Sequence, residues 1–263
     1  MVDSAQNKGS GIAAVITAGG RISGEFPQNS GVAIKALLSI RGETLLERVI
    51  RAAQASAHVS RVIVVGPVEV RSVTESGGAE WILEQGSGGE NVVKGVTFAM
   101  SSHNRVVVIA SDLPFLESAH IDQFLAAIPV EANFALPLIR KNVLEDRFPE
   151  SVNTFTRLLE GEVSPGSLIY VEPRLLILNR ELIGKIFSSR KNEFQMAKLL
   201  GISFILRFLA KTLSLHHIET RCNELVNGSV ARGVLNMPAE LAFDIDDPKD
   251  YEYVMKIMDN KAK

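Results

Sequence analysis

The first half of the chain alternates short apolar runs with amphipathic stretches. Residues 12–17 form an apolar run that ends in Gly19-Gly20, which predicts a strand buried on both faces. Thr44-Leu-Leu-Glu47 is a capping-box pattern, after which Leu45, Leu46, Val49, Ile50 and Ala53 share one helical face. A second strand is predicted at 62–65, stopped by Gly66-Pro67. A helix at 90–100 turns Val92, Val93, Val96 and Ala99 inward. Residues 105–110 form a third strand. Ser118 can cap a helix striped by Ile121, Phe124, Leu125 and Ile128, and 134–139 form a fourth strand.

Strands alternating with helices require crossover connections. The predicted class is α/β: a Rossmann-like three-layer sandwich, a mostly parallel sheet with helices on both faces. In such sheets ligands bind at the carboxyl ends of the strands. That rule points to 17–21, to 111–114 and to the residues after Ile139. The second half changes character. Strands are predicted at 168–171 and 230–235, and helical stretches at 180–188, 193–200, 202–210 and 215–226. They read as a helical insertion, at about 174–228, on the same core. No Pro/Gly/Ser-rich linker divides the chain, so residues 1–263 read as one domain. Asp247 then caps a last helix, with Pro248 at its first position and Asp250 in its first turn.

Composition narrows the partners. Twenty-eight basic against 30 acidic residues leave a net charge of −2, which argues against a dedicated nucleic-acid binder. Cys222 is the single cysteine, so neither a disulfide within the chain nor a cysteine metal cluster can form. No run approaches the ~18 apolar residues that span a bilayer. The first ten residues are polar, without the lead-in of a signal peptide. These features predict a cytoplasmic protein that engages neither membrane nor nucleic acid. Whether it is a monomer or a homodimer stays open.

Four segments carry candidate chemistry. Adjacent glycines in Ala18-Gly19-Gly20-Arg21 let backbone approach a ligand closely, and the N–H groups of such a turn bind phosphate oxygens. A plain turn would look the same, and neither a Walker loop nor a G-x-G-x-x-G fingerprint is present. Lys35 adjoins an apolar run and could be a solvated edge residue. Asp112, in Ser111-Asp-Leu-Pro114, ends the third strand and projects toward the ligand edge. In Phe243-Asp-Ile-Asp-Asp-Pro248, Asp244 and Asp246 point one way if the segment is extended, while Asp247 is spent as a cap. Hard cations such as Mg²⁺ take such carboxylates. Arg140, Lys141, Arg147 and Arg157 follow the fourth strand and could receive an anion, or form a solvated basic edge. His216 and His217 are adjacent on a helix and cannot share one metal. His58, His103 and His120 lack an apparent nucleophile partner, Trp81 reads as core, and Cys222 reads as buried and inert.

Taken together, Ala18-Gly19-Gly20, Lys35 before Ala-Leu-Leu, Leu45-Leu-Glu-Arg-Val49, Ser111-Asp-Leu-Pro114 and Asp244-Ile-Asp-Asp-Pro-Lys-Asp250 resemble, in order, the MobA-like nucleotidyltransferases. That family is similar to the sugar-acid and isoprenoid cytidylyltransferases. The resemblance covers about the first 140 residues and the last 20. It implies a nucleotide-diphospho-sugar transferase fold in which 1–140 bind NTP, 141–240 bind the acceptor and 241–263 return a metal ligand. By that resemblance Ala18, Gly19, Gly20 and Arg21 wrap the triphosphate and Lys35 contacts phosphate. Asp112 and Asp246 hold Mg²⁺, and the loop with Gly86, Ser87 and Asn91 lies near the base. Lys35, Asp112 and Arg21 are the expected catalytic residues; Arg140, Arg147 and Arg157 are expected on the acceptor side. Asp112 and Asp246, each expected to end an apolar strand, should meet at one sheet edge, with Asp244 in reserve. Two features depart from the pattern: Arg21 follows the glycines at once, and a longer loop, 22–34, precedes Lys35. The implied reaction moves an NMP from CTP or GTP to a small anionic acceptor, releasing pyrophosphate. A nucleotide-sugar pyrophosphorylase and a non-catalytic nucleotide-binding module are the alternatives.

Overall fold

A computed structural model describes residues 11–22, 32–151, 153–189 and 201–260. In chain order the elements are β1 (Ile12–Thr17), β2 (Ser39–Ile40), β3 (Glu43–Thr44), α1 (Leu45–Gln54), β4 (Val59–Gly66), α2 (Arg71–Ser76), β5 (Glu80–Leu83) and α3 (Gly88–Ala99). Then follow β6 (Val106–Ala110), α4 (Ser118–Ala127), β7 (Phe134–Arg140), α5 (Lys141–Arg147), β8 (Thr156–Leu158), β9 (Gly161–Pro165) and β10 (Leu168–Val171). The last part holds α6 (Pro173–Leu178), α7 (Arg180–Ser189), α8 (Ile202–Leu209), α9 (Leu215–Leu225), β11 (Ala231–Val234) and α10 (Pro248–Asn260). The expected helix at 193–200, the Arg190-Lys191 pair, the first ten residues and most of the 22–34 loop lie outside the described residues.

The main sheet runs β5-β4-β1-β6-β10-β7-β9-β8, with β11 also paired to β7. Four strands, β5, β4, β1 and β6, are mutually parallel. β1 lies between two parallel neighbours, which explains a run apolar at nearly every position. One face packs on α1, α4 and α10, where Leu46, Ile50, Phe124 and Val254 are buried. The other packs on α3, α6 and α7 through Val92, Val96 and Leu176. Gly95 allows α3 its close approach: a Cβ there would lie 2.8 Å from a Val65 methyl and strike Val15 as well.

The predicted class is correct, with one turn the alternation did not announce. β10 runs antiparallel between β6 and β7. β9 and β10 both run antiparallel along β7 and are joined by only Gly166 and Ser167, while β11 pairs with β7 in parallel. The register against β7 slips there by two residues, from Pro165 opposite Leu138 to Tyr170 opposite Ala135, and Gly166 N–H donates to Pro137 O at 2.8 Å. Pro137 has no N–H for the ladder to lose there. A Cβ on Gly166 would lie 2.8 Å from the Pro137 ring.

Caps follow the sequence closely. Thr44 and Glu47 form the reciprocal box that starts α1, and Ser87 with Glu90 does the same for α3. For α4 the cap is Glu117, one residue before the expected Ser118; its N–H donates to His120 Nδ1 at 3.1 Å. His217 belongs to the box that starts α9, through Ser214. His103 does have hydroxyl partners: Nε2 meets Ser60 Oγ at 2.9 Å and Nδ1 meets Ser102 Oγ at 2.8 Å. It is buried beside the amino end of β4, the edge opposite the expected ligand edge. No helix among the described residues is long and apolar enough to cross a membrane.

Candidate active site

At the carboxyl edge of β1 the chain turns through Ala18, Gly19 and Gly20. Ala18 is fully buried and donates its N–H to Val65 O at 2.8 Å, which fixes the start of the turn. Gly20 O accepts the N–H of Lys35 at 2.9 Å, and Arg21 bridges Ile34. These contacts place the single 3-10 turn Lys35–Leu37 against the glycines. An added Cβ on Gly20 would lie 3.8 Å from the Lys35 side chain.

Lys35 sits between two carboxylates. Its Nζ is 3.2 Å from Asp112 Oδ2 and 2.6 Å from Asp246 Oδ1, with the lysine side chain 13% exposed. Burial would lower the ammonium's pKa, but Asp112 and Asp246 outweigh it and hold the pKa above its ordinary value. Asp244 joins them: Asp112, Asp244 and Asp246 each offer an oxygen, all within 4.8 Å of one another.

The convergence is as expected, but its cause is not. Residues 243–247 form no strand. Phe243 and Ile245 are buried anchors, and Ile245 N–H donates to Asp112 O at 3.0 Å. An extended backbone then directs Asp244 and Asp246 to one side of Ile245. Phe243 packs on Phe115, Phe148 and Tyr253, which fixes the approach. Beyond it, Asp247 caps α10 and Asp250 reciprocates by accepting from the N–H groups of Asp246 and Asp247. Asp244 was only the reserve candidate, yet it is one of the three.

Two of these acids are poised toward neutrality. Burial pushes Asp112 up, against the pull of Lys35. Burial, then Asp112 and Asp246, push Asp244 from 3.8 to about 7. The site thus favours another positive charge. Three hard oxygens suit Mg²⁺, and an ammonium already lies among them, so the residues fit that ion.

The raised Asp244 fixes a sign for stability. A carboxyl with a folded pKa above its unfolded one stabilises fully below the unfolded value, and that contribution is lost as pH rises through the folded value. Without divalent metal, stability from this group should fall between pH 4 and 7, by a few kcal/mol at most. Asp244→Asn should flatten that slope in urea denaturation; an unchanged slope would mean that Asp244 titrates normally.

On the other side of the glycine turn, Arg21 pairs with Glu84 and donates to Gly19 O at 2.6 Å. Glu84 follows β5, a short edge strand that the sequence reading missed, and it had no signal of its own. A Cβ on Gly19 would strike the Glu84 carboxylate and lie 3.5 Å from Asn91 Nδ2. Asn91 is buried and accepts Gln85 N–H at 2.6 Å, and Gly86 has φ +70°. The loop with Gly86, Ser87 and Asn91 therefore adjoins the turn. The basic residues after β7 are divided. Arg147 is held by Glu240 at 2.6 Å and by the Phe148 ring; Lys141 pairs with Glu162. Arg157 is exposed on edge strand β8. Arg140 ends β7 with two neutral partners, Asn236 Oδ1 at 2.7 Å and Glu160 O at 2.6 Å.

This chain is similar to several solved structures. A hypothetical transferase from Thermus thermophilus is 28% identical, with a TM-score of 0.81 over 91% of this chain and 99% of that one. A CMP:2-keto-3-deoxy-manno-octonic acid synthetase complexed with CTP is 17% identical, with a TM-score of 0.55 over 96% and 100%. A 4-diphosphocytidyl-2C-methyl-D-erythritol synthase from Anaerococcus prevotii is 10% identical, with a TM-score of 0.60 over 98% and 100%. Those last two likenesses are of fold. No curated protein sequence matches significantly. The profile of the MobA-like NTP transferase domain matches residues 14–186, a stretch that takes in the glycine turn, Lys35 and Asp112. With the fold, the edge and the order of these residues in agreement, the chain belongs to the MobA-like NTP transferase family.

Proposed function

We propose that the protein is a Mg²⁺-dependent nucleotidyltransferase that transfers an NMP from CTP or GTP to a small anionic acceptor, with release of pyrophosphate. The observation that supports this reading most is the meeting of the Gly19-Gly20 turn, Lys35 and the three carboxylates at one sheet edge. CTP is the first nucleotide to test, because the named fold neighbours include a synthetase solved with CTP and a diphosphocytidyl synthase.

In this reading the Ala18–Arg21 turn presents its N–H groups to the triphosphate, with no Cβ at Gly19 or Gly20 to hold it off. Lys35 offers its ammonium to phosphate oxygens. Asp112 and Asp246 would hold Mg²⁺, with Asp244 as a further oxygen donor. Bound there, the ion would neutralise the triphosphate and the charge on the departing pyrophosphate. Gly86, Ser87 and Asn91 border the base. Arg140, Arg147 and Arg157 stand on the acceptor side, with Arg140 foremost because its partners are neutral. The acceptor oxygen attacks the α-phosphorus in line and the bond to pyrophosphate breaks. An ionised acceptor needs no base, so the chain's task is positioning and charge neutralisation.

Thermal-shift titration of the four NTPs with Mg²⁺ tests this directly. A nucleotide at 100 times its Kd should add about 2.7 kcal/mol. In Gly19→Val that shift should vanish while the unliganded protein keeps its circular dichroism, since the Cβ it adds meets the far end of the Glu84 side chain and the edge of Asn91 rather than backbone. A wild-type shift in Gly19→Val would remove the turn from the phosphate site.

A further inference from the structure

A cavity lies away from the carboxylates, in the half of the sheet built from β7, β8, β9 and β11. It has a volume of about 200 Å³ and lies between those strands and α9. Leu136, Leu138, Val163, Leu215, Ile218 and Cys222 line much of it. Leu138, Leu158, Val163 and Leu213 form a buried cluster of their own, separate from the two that fill the main faces. The cavity is about half open to solvent. An apolar cavity of ~150 Å³ is enough to take up benzene.

The charged groups at its border are already engaged, and Thr156 adds one hydroxyl. The Glu219 carboxylate accepts Gly233 N–H at 2.9 Å, and Arg232 donates to Ala231 O at 2.9 Å and Glu131 at 3.2 Å. With a lining that is almost wholly apolar, the cavity asks for a largely apolar guest. Gly233 keeps it open: a Cβ there would lie 2.6 Å from Leu215 and 2.7 Å from Leu138.

A cation stands just beyond the cavity's lining, at the carboxyl end of β7. Arg140 is two residues beyond Leu138 on β7, so the two share a face at the carboxyl edge. It pairs across the ladder with Val163, a lining residue. Its guanidinium donates to Glu160 O, while the Glu160 carboxylate accepts the N–H of Leu215, the first residue of α9. Both of Arg140's partners are neutral groups, and it makes no ion pair among the described residues. A guanidinium in that state is suited to a phosphate or carboxylate.

We infer that this cavity holds a compact apolar body of the acceptor substrate, whose anionic group lies at Arg140. The acceptor class is then an amphipathic phosphate or carboxylate with a short alkyl or aromatic group, rather than a polyhydroxylated sugar acid. The inference rests on the nucleotidyltransferase reading for its word "acceptor" and on the cavity for its chemistry.

Cys222, the single cysteine, reports on the cavity from within. Its alkylation by N-ethylmaleimide, followed by mass spectrometry on the full chain, should slow at least fivefold with hexyl phosphate. Methyl phosphate at the same concentration should leave the rate unchanged. In Arg140→Gln the hexyl phosphate needed for half-protection should rise about tenfold, while protection by hexanol stays as it was. Cys222→Phe, which fills the space, should abolish calorimetric binding of hexyl phosphate; should that variant fail to fold, the wild-type alkylation rates still decide. No protection by hexyl phosphate, equal protection by both phosphates, or indifference to Arg140→Gln would overturn the inference. CTP thermal shifts on the same sample separate the two levels. Hexyl phosphate failing where CTP binds sinks only the cavity assignment, and no shift with any NTP sinks the reading beneath it.

Discussion

Asp112→Asn and Asp246→Asn should each abolish most turnover, by at least about a thousandfold, while leaving the fold intact. Asparagine keeps the size and one acceptor oxygen but removes the charge. The link that holds the two segments together is Ile245 N–H to Asp112 O, a backbone bond that neither substitution touches. The scale follows from losing a preorganised electrostatic group where charge develops in the transition state. If both carboxylates serve one ion, the double variant should be little worse than either single one. Steady-state rates over a Mg²⁺ titration check this. A single variant that recovers wild-type turnover at high Mg²⁺ would leave its carboxylate a role in affinity alone. Multiplying losses in the double variant would mean that the two act separately. Asp244→Asn should do less than either, because Asp244 with its pKa at about 7 is partly protonated at neutral pH without any substitution.

The parallel half of this fold was legible in the sequence because burial on both faces demands continuous apolar strands. β1 and β10 match the expected residues, and β4, β6, β7 and β11 differ only at their ends. β5, β8 and β9 were missed for the converse reason. Thr156-Arg-Leu158 and Gly161–Pro165 are short and mixed in polarity, and their place is set by β9 pairing with β7 and by β8 pairing with β9 at the sheet edge. The direction of β10 was hidden because the chain enters it straight from β9 through Gly166 and Ser167 with no crossover helix, which no periodicity records. In the site, Asp112 could be placed from the strand before it. Asp246 was placed near it through the family resemblance. The physical cause, Phe243 and Ile245 anchoring an extended segment, is a tertiary fact. Glu84 had no pattern around it at all.

Lys35→Met should lower turnover by about 100- to 1000-fold and, at the same time, strengthen Mg²⁺ binding. The two signs have one origin. Lys35 Nζ lies 2.6 Å from Asp246 and 3.2 Å from Asp112, so without substrate it occupies the field that those carboxylates would otherwise offer a metal. Methionine keeps the aliphatic stem that packs beside Gly20 and removes the ammonium. Three carboxylates then face one another without that ammonium, and each gains more from an added divalent ion than it did before. The triphosphate loses one of its cations in the transition state, which sets the scale of the rate loss. Without metal the variant should also denature more readily as pH rises from 4 to 8, because Asp112 and Asp244 must ionise without their counter-charge. Calorimetry with Mg²⁺ alone, read beside kcat, separates the effects. Weaker Mg²⁺ binding in Lys35→Met would show that the lysine organises the carboxylates rather than competing for them. Unchanged turnover would confine Lys35 to a structural ion pair.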